Sequence, residues 1–227
     1  MCFHFSNTAK AKELEEEYRA KIDREFEERY HANGFTFPDM PVITNDEPDR
    51  IQFLKWGLIP FWAKDKKAAE GIKSKTLNAR SETLTEKPSF KTAIKKRRCL
   101  IPATGFFEWK HVKGNKIPHF IHLKDRKLFS FGGIWDTWTD KDTGETIKTF
   151  SIITTPANEL MENIHNTKKR MPLILPKELE MDWLEKDISM EPYPTENMDP
   201  YPISKLITDG YSNVPEVLER EEYEELG

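Results

Sequence analysis

The stretch Arg98-Cys99-Leu100-Ile101-Pro102-Ala103-Thr104-Gly105-Phe106-Phe107-Glu108-Trp109-Lys110-His111 decides the fold. Cys99 to Ala103 and Phe106 to His111 are two apolar runs of strand length, divided by Thr104-Gly105. Working outward, Ile51 to Ile59, Pro118 to Leu123, Leu128 to Thr139 and Thr146 to Thr155 read as further strands. Turns at Lys113-Gly114-Asn115 and Asp142-Thr143-Gly144 separate them. Val42 to Thr44 makes a short strand among Pro38, Pro41 and Pro48. Before these, Ala9 to Arg29 carries Leu14, Tyr18, Ile22 and Phe26 at four-residue intervals, the pattern of one long amphipathic helix. Short helices fit Pro88 to Lys96, Ala157 to Ile164 and Pro176 to Leu184. The expectation is a single α+β domain over residues 1–227, built on an antiparallel, barrel-like sheet. Its core spans about 2–210, and an acidic tail, 211–227, is helical or loose in its last part, from Pro215.

The chain has 227 residues, with 37% hydrophobic and 33% charged side chains. Fourteen Phe, six Trp and six Tyr supply the aromatic area of a packed core, which excludes a disordered chain. No run approaches the length of a membrane span, and no basic-then-apolar leader opens the chain, so a cytoplasmic protein is expected. Only Cys2 and Cys99 occur, without a C-x-x-C pair, which argues against a disulfide scaffold and the usual structural zinc. His119 and His122 are three apart in a strand pattern and face opposite ways, so they cannot share a metal. No G-x-G-x-x-G, P-loop or G-x-S-x-G is present.

The net charge of −4 hides a segregation: residues 51–130 carry 19 basic and 6 acidic groups, while both flanks are acidic. That middle block is either a phosphate-binding face or a solvated, ion-paired surface. Four places within and around it can carry chemistry. Removal of Met1 would give Cys2 an α-amine and a thiol on adjacent carbons, with unperturbed pKa values of about 8 and about 8.5, a pair that closes on an aldehyde as a thiazolidine. Glu108, set among Phe106, Phe107 and Trp109, is either a desolvated proton carrier or an outward-facing or ion-paired strand residue. His165 ends a helix, where the dipole favours imidazolium, as an acid-base group or as a cap. Asn78-Ala79-Arg80-Ser81-Glu82-Thr83 is a plain polar loop or a clamp that orients a nucleophile and a phosphate.

Taken jointly, six segments resemble the SOS response-associated peptidase (SRAP) family. They are Met1-Cys2, Trp56 to Asp65, Asn78 to Thr83, Arg98 to Ala103, Gly105 to Trp109, and His165 with Arg170-Met171-Pro172, in this order. The resemblance runs from Cys2 to about Leu184. It implies a protein that shields abasic sites in single-stranded DNA by covalent attachment through Cys2, after self-removal of Met1. It implies that Asn78 positions Cys2, that Glu108 moves protons, and that His165 assists sugar ring opening. Arg80 and Arg170 then hold phosphates, and Pro38, Trp56, Trp62 and Thr154 lie near the DNA. Where the family has Cys-Gly-Arg the chain has Cys2-Phe3-His4, which leaves His4 as a weaker, titratable cation beside the DNA. Four residues rather than one separate His165 from Arg170.

No metal and no organic cofactor is implied. The expected partner is single-stranded DNA carrying abasic sites, met by a monomer that associates with the nucleoid when bound and not with a membrane. Two other classes fit part of the pattern. A cysteine peptidase or amidase acting in trans uses similar groups but leaves the basic middle unexplained. A non-covalent single-strand-binding module leaves Cys2 unexplained.

Overall fold

The computed structural model describes residues 2–22 and 24–226. The chain enters through β1 (His4–Asn7), α1 (Ala11–Tyr18), β2 (Lys21–Ile22) and β3 (Arg29–Asn33). It continues through β4 (Asp39–Thr44), β5 (Glu47–Trp56), α2 (Lys66–Lys73), β6 (Asn78–Arg80), α3 (Ala93–Lys96) and β7 (Arg98–Ala103). Then come β8 (Gly105–Val112), β9 (Asn115–Leu123), β10 (Phe129–Thr139), β11 (Thr146–Pro156) and α4 (Glu159–Ile164). β12 (Arg170–Pro172), α5 (Glu180–Glu185) and β13 (Met198–Pro202) complete it.

Five strands close on themselves. β4, β7, β10 and β11 pair antiparallel in that order, β5 pairs antiparallel with β4, and β5 meets β11 in parallel at Lys55 with Thr149 and Trp56 with Phe150. Closure leaves no exposed edge within the ring, and inward-facing aromatics fill it. All six residues of β7 are buried, because its inner face meets the barrel core while α5 covers the outside. Trp183 of α5 donates its Nε1 proton to the Cys99 carbonyl at 3.0 Å. The barrel-like α+β architecture expected from the strand pattern is the one the chain forms.

The second sheet, in the order β13-β9-β8-β1-β3, is antiparallel throughout. The chain crosses from barrel to second sheet at Thr104-Gly105, between β7 and β8. Thr104 N donates to the Ser6 carbonyl at 2.8 Å and Asn7 Nδ2 to the Pro102 carbonyl at 3.0 Å, which sews β1 to this corner. Gly105 is required there: a Cβ would lie 2.1 Å from the Phe120 ring and 2.9 Å from the Ile121 carbonyl. Phe5, Phe106, Phe129 and Phe131 interlock edge-to-face between the sheets, with Phe5 also against Trp56.

The long N-terminal helix is corrected. Among the described residues of that stretch only Ala11–Tyr18 is helical; Arg19 adopts a left-handed conformation (φ 52°) and ends it. Ile22 then pairs in parallel with Ile51 of β5, and Phe26 packs its ring 5.9 Å from Phe53. A helix continued to Arg29 would leave both on a stripe with no sheet to cover it; running beside β5 partly buries them against the core, and tertiary contact overrides local propensity. The helix expected from Pro88 contracts to Ala93–Lys96, preceded by turns. The tail is neither a regular helix nor loose: Pro215–Leu218 and Glu224–Leu226 are single 3-10 turns, and Val217 is fully buried beside Phe107, Phe120, Ile203 and Ile207.

Candidate functional site

Cys2 lies two residues before the start of β1, the strand hydrogen-bonded on one side to β3 and on the other to β8. It is buried with Phe5 and Phe106, and its Sγ lies 3.7 Å from the His4 carbonyl oxygen. Along β8 the side chains alternate, so Glu108 shares the face of Phe106 while Phe107 and Trp109 join the opposite cluster. α4 packs against β8 and delivers His165, the residue that closes the helix. Its Nδ1 lies 3.6 Å from Glu108 Oε1 and donates to the Arg170 carbonyl at 2.9 Å. That bond fixes the tautomer, leaving Nε2 as the basic nitrogen.

Burial sets the charges. Glu108 is 5% exposed, and desolvation pushes its pKa up to about 7. Desolvation also drives the Cys2 thiol far above its ordinary range, and the Glu108 carboxylate adds to the rise, so the two groups sense one another. His165 is corrected: desolvation pulls its pKa down to about 4, so the ring is neutral at pH 7 and the imidazolium expected from the helix dipole does not form. His4 is corrected as well. Burial and the neighbouring His31, with Nδ1 and Nε2 of the two rings 2.8 Å apart, push it down to about 3, and it offers no cation. A cleft of about 450 Å³ opens over these groups, lined by Phe3, His4, Glu108, Trp109, His165 and Lys168, among others.

The remaining expected residues separate into two kinds. Asn78 lies in a strand rather than a loop, paired in parallel with Ile152 of β11, and its neighbour Leu77 belongs to the apolar cluster that holds Cys2. Both amide atoms of Asn78 are buried without a hydrogen-bond partner among the described residues. Arg80 and Trp62 are exposed, with Trp62 anchored through Nε1 to the Pro88 carbonyl at 3.2 Å. Pro38 is half-buried.

Trp56 and Thr154 are corrected: both are fully buried. Trp56 donates Nε1 to the Leu77 carbonyl at 2.9 Å and its backbone N–H to the Pro38 carbonyl at 3.0 Å, and its fully buried ring leaves no face for a base. Thr154 orients Arg170, whose Nη2 donates to its carbonyl at 2.6 Å. Arg170 also forms a two-pronged pair with Glu82, which holds that carboxyl down to about 2. Its charge is therefore already matched, whereas exposed Arg80 has no ion pair among the described residues. Sequence reasoning missed Glu82 as this partner, His31, and the cleft residues Phe3, Lys116 and Lys168; no local pattern marks them, because each comes from a different strand or loop.

Among the described residues no group of three or more His, Cys, Asp or Glu is arranged to hold a metal ion, and no helix is long and apolar enough to cross a membrane.

Known proteins resemble this chain over most of its length. A protein named abasic site processing protein YoqW, from Bacillus subtilis, is 39% identical over 96% of this chain and 99% of its own. Abasic site processing protein HMCES of Xenopus tropicalis is 30% identical over 76% of this chain and 58% of its own length. A crystal structure of a Bacteroides thetaiotaomicron protein superposes with a TM-score of 0.92 at 45% identity, covering 97% of this chain and all of that one. Residues 1–209 match the family model described as SOS response associated peptidase (SRAP), and the chain belongs to that family.

Proposed function

We propose that this protein processes abasic sites in single-stranded DNA, attaching itself covalently through Cys2 once Met1 has been removed. The observation that carries the reading is that Glu108 and His165 line one cleft beside Phe3, while Cys2, the residue before Phe3, is buried close enough for its thiol to feel the Glu108 carboxylate, a desolvated group with a pKa of about 7. Hydrolysis of the Met1-Cys2 peptide turns an amide nitrogen into an amine, and the same residue then holds amine and thiol together. The ring-opened deoxyribose presents an aldehyde. The amine adds to it and one water leaves, giving an imine; the thiol then adds to the imine carbon while its proton passes to nitrogen, closing a thiazolidine. Each addition moves a proton, and a carboxyl near pKa 7 can give and take one at neutral pH. Neutral His165, with Nε2 basic, takes the anomeric hydroxyl proton as the C1–O bond of the sugar ring breaks, and protonated Glu108 gives a proton to the released ring oxygen. Asn78 lends its unpartnered amide to the Cys2 end, and Arg80 offers its exposed guanidinium to a phosphate.

Closed covalent attachment shields the lesion in the response to DNA damage, and the protein works as a monomer in the cytoplasm, on the nucleoid when bound. The test is a denaturing gel after incubation with single-stranded DNA carrying one abasic site. A retarded band at wild type that is lost with Cys2→Ala supports the reading. Binding that vanishes on the gel and at high salt points to a non-covalent module, and cleavage of peptides without a DNA adduct points to a peptidase acting in trans.

A further inference from the structure

Phe3 follows Cys2 directly and lines the cleft that holds Glu108 and His165. Its ring centroid lies 4.9 Å from that of Phe35, with the planes inclined by 38°, and Phe35 is 52% exposed. A single exposed aromatic is ordinary in a soluble protein. This one is held in place from several sides. Gly34 N donates to the Phe3 carbonyl at 2.8 Å, Phe35 N donates to Asn33 Oδ1 at 3.0 Å, and Asn33 Nδ2 donates to the Gly210 carbonyl at 2.9 Å. Gly34 sits so close to the Trp56 ring that a Cβ there would lie 3.2 Å from three of its carbons. The pair is therefore built rigidly before any ligand arrives, and little ordering is left for binding to supply.

The chemistry of this wall is apolar. His4, the next residue, is buried against His31 and packs 5.0 Å from the Trp109 ring, so it presents no cation, whereas Lys116 and Lys168 stand elsewhere on the lining. An abasic nucleotide has no base of its own. With its sugar at Cys2, the first ring able to reach Phe3 and Phe35 is the base of a neighbouring nucleotide. We propose that Phe3 and Phe35 form a stacking platform for the nucleobase that adjoins the lesion, so that binding depends on that base and favours the larger purines. The inference rests on the proposed abasic-site function, which supplies the single strand and its register.

The experiment measures affinity by fluorescence anisotropy for single-stranded oligonucleotides carrying a tetrahydrofuran analogue of the abasic site, which has no aldehyde and cannot crosslink. One oligonucleotide keeps both neighbouring bases; in two others one neighbour is also replaced by the analogue. Loss of the stacked base is expected to weaken wild-type binding about 5- to 100-fold on one side only. Phe35→Ala and Phe35→Leu should remove most of that dependence, Phe35→Trp should retain it, and the salt slope should not change, because no phosphate contact is lost. Phe35 is exposed, so these variants should melt with the wild type, which a thermal scan checks. Equal wild-type affinity for all three oligonucleotides, undetectable binding to all, or full neighbour dependence in Phe35→Ala overturns the platform. Failure of the covalent reading shows separately, as absence of a gel-stable adduct with a natural abasic site.

Discussion

Glu108→Gln tests the site through two independent readouts. The side chain keeps its shape and loses its ionisation. Folding raises the Glu108 pKa from 4.5 to about 7 through desolvation, a difference worth about 3 kcal/mol. A folded-state pKa above the unfolded one means that the folded chain binds the proton more tightly. The stability linked to this group is fully present below pH 4.5 and is lost as pH rises to about 7, beyond which the loss is complete. Glu108→Gln escapes that loss. Relative to wild type it should gain up to about 3 kcal/mol between pH 4 and pH 8, roughly 6–12 °C in Tm for a chain of this size. Crosslinking should move the other way. Its rate should fall by about 10²-fold, the low end for a positioned acid or base, and the inflection near pH 7 should vanish. Thermal denaturation at pH 4, 6 and 8, with single-turnover crosslinking over the same range, makes the comparison. A stability difference that is the same at pH 4 and pH 8, together with wild-type rates throughout, would refute both the desolvated carboxyl and its part in the chemistry.

Intact-mass measurement should find a mature chain that begins at Cys2, and Cys2→Ala should abolish the adduct while leaving binding to single strands, because phosphate contacts do not need the thiol. Arg80→Ala should lower the salt slope of binding by about one phosphate contact. Arg170→Ala should leave that slope nearly unchanged and instead cost about 1–3 kcal/mol in denaturant titration, since it removes the partner of Glu82 and Thr154. His165→Ala should slow crosslinking without moving an inflection near pH 7, because the ring it removes titrates at about 4. Gly105→Ala should destabilise the chain by about 1–3 kcal/mol in the same titration, as its methyl would strike the Phe120 ring.

Local pattern was enough for the strands and for much of the chemistry. The runs Cys99 to Ala103 and Phe106 to His111 read as strands because apolar runs of strand length, divided at Thr104-Gly105, are written in neighbouring residues, and they lie within the observed β7 and β8. Among Phe106, Phe107 and Trp109 the sequence leaves Glu108 open between a desolvated carboxyl and an outward-facing or ion-paired strand residue, and burial in the fold decides for the first. Cys2 drew attention through the chemistry of an amine beside a thiol, which needs no fold at all.

What tertiary structure alone decided involves groups far apart in sequence. The parallel meeting of β5 with β11 closes the barrel and buries Trp56, so a residue that the resemblance puts near the DNA is a strut instead. The stop at Arg19 depends on β5 being there to receive Ile22, a competition that helix periodicity cannot express. The neutrality of His4 and His165 and the matched charge of Arg170 follow from burial and from His31 and Glu82, which approach from other elements. Sequence carries side-chain type and local period; desolvation and charge pairing depend on distances between distant segments, and those exist only once the chain has folded.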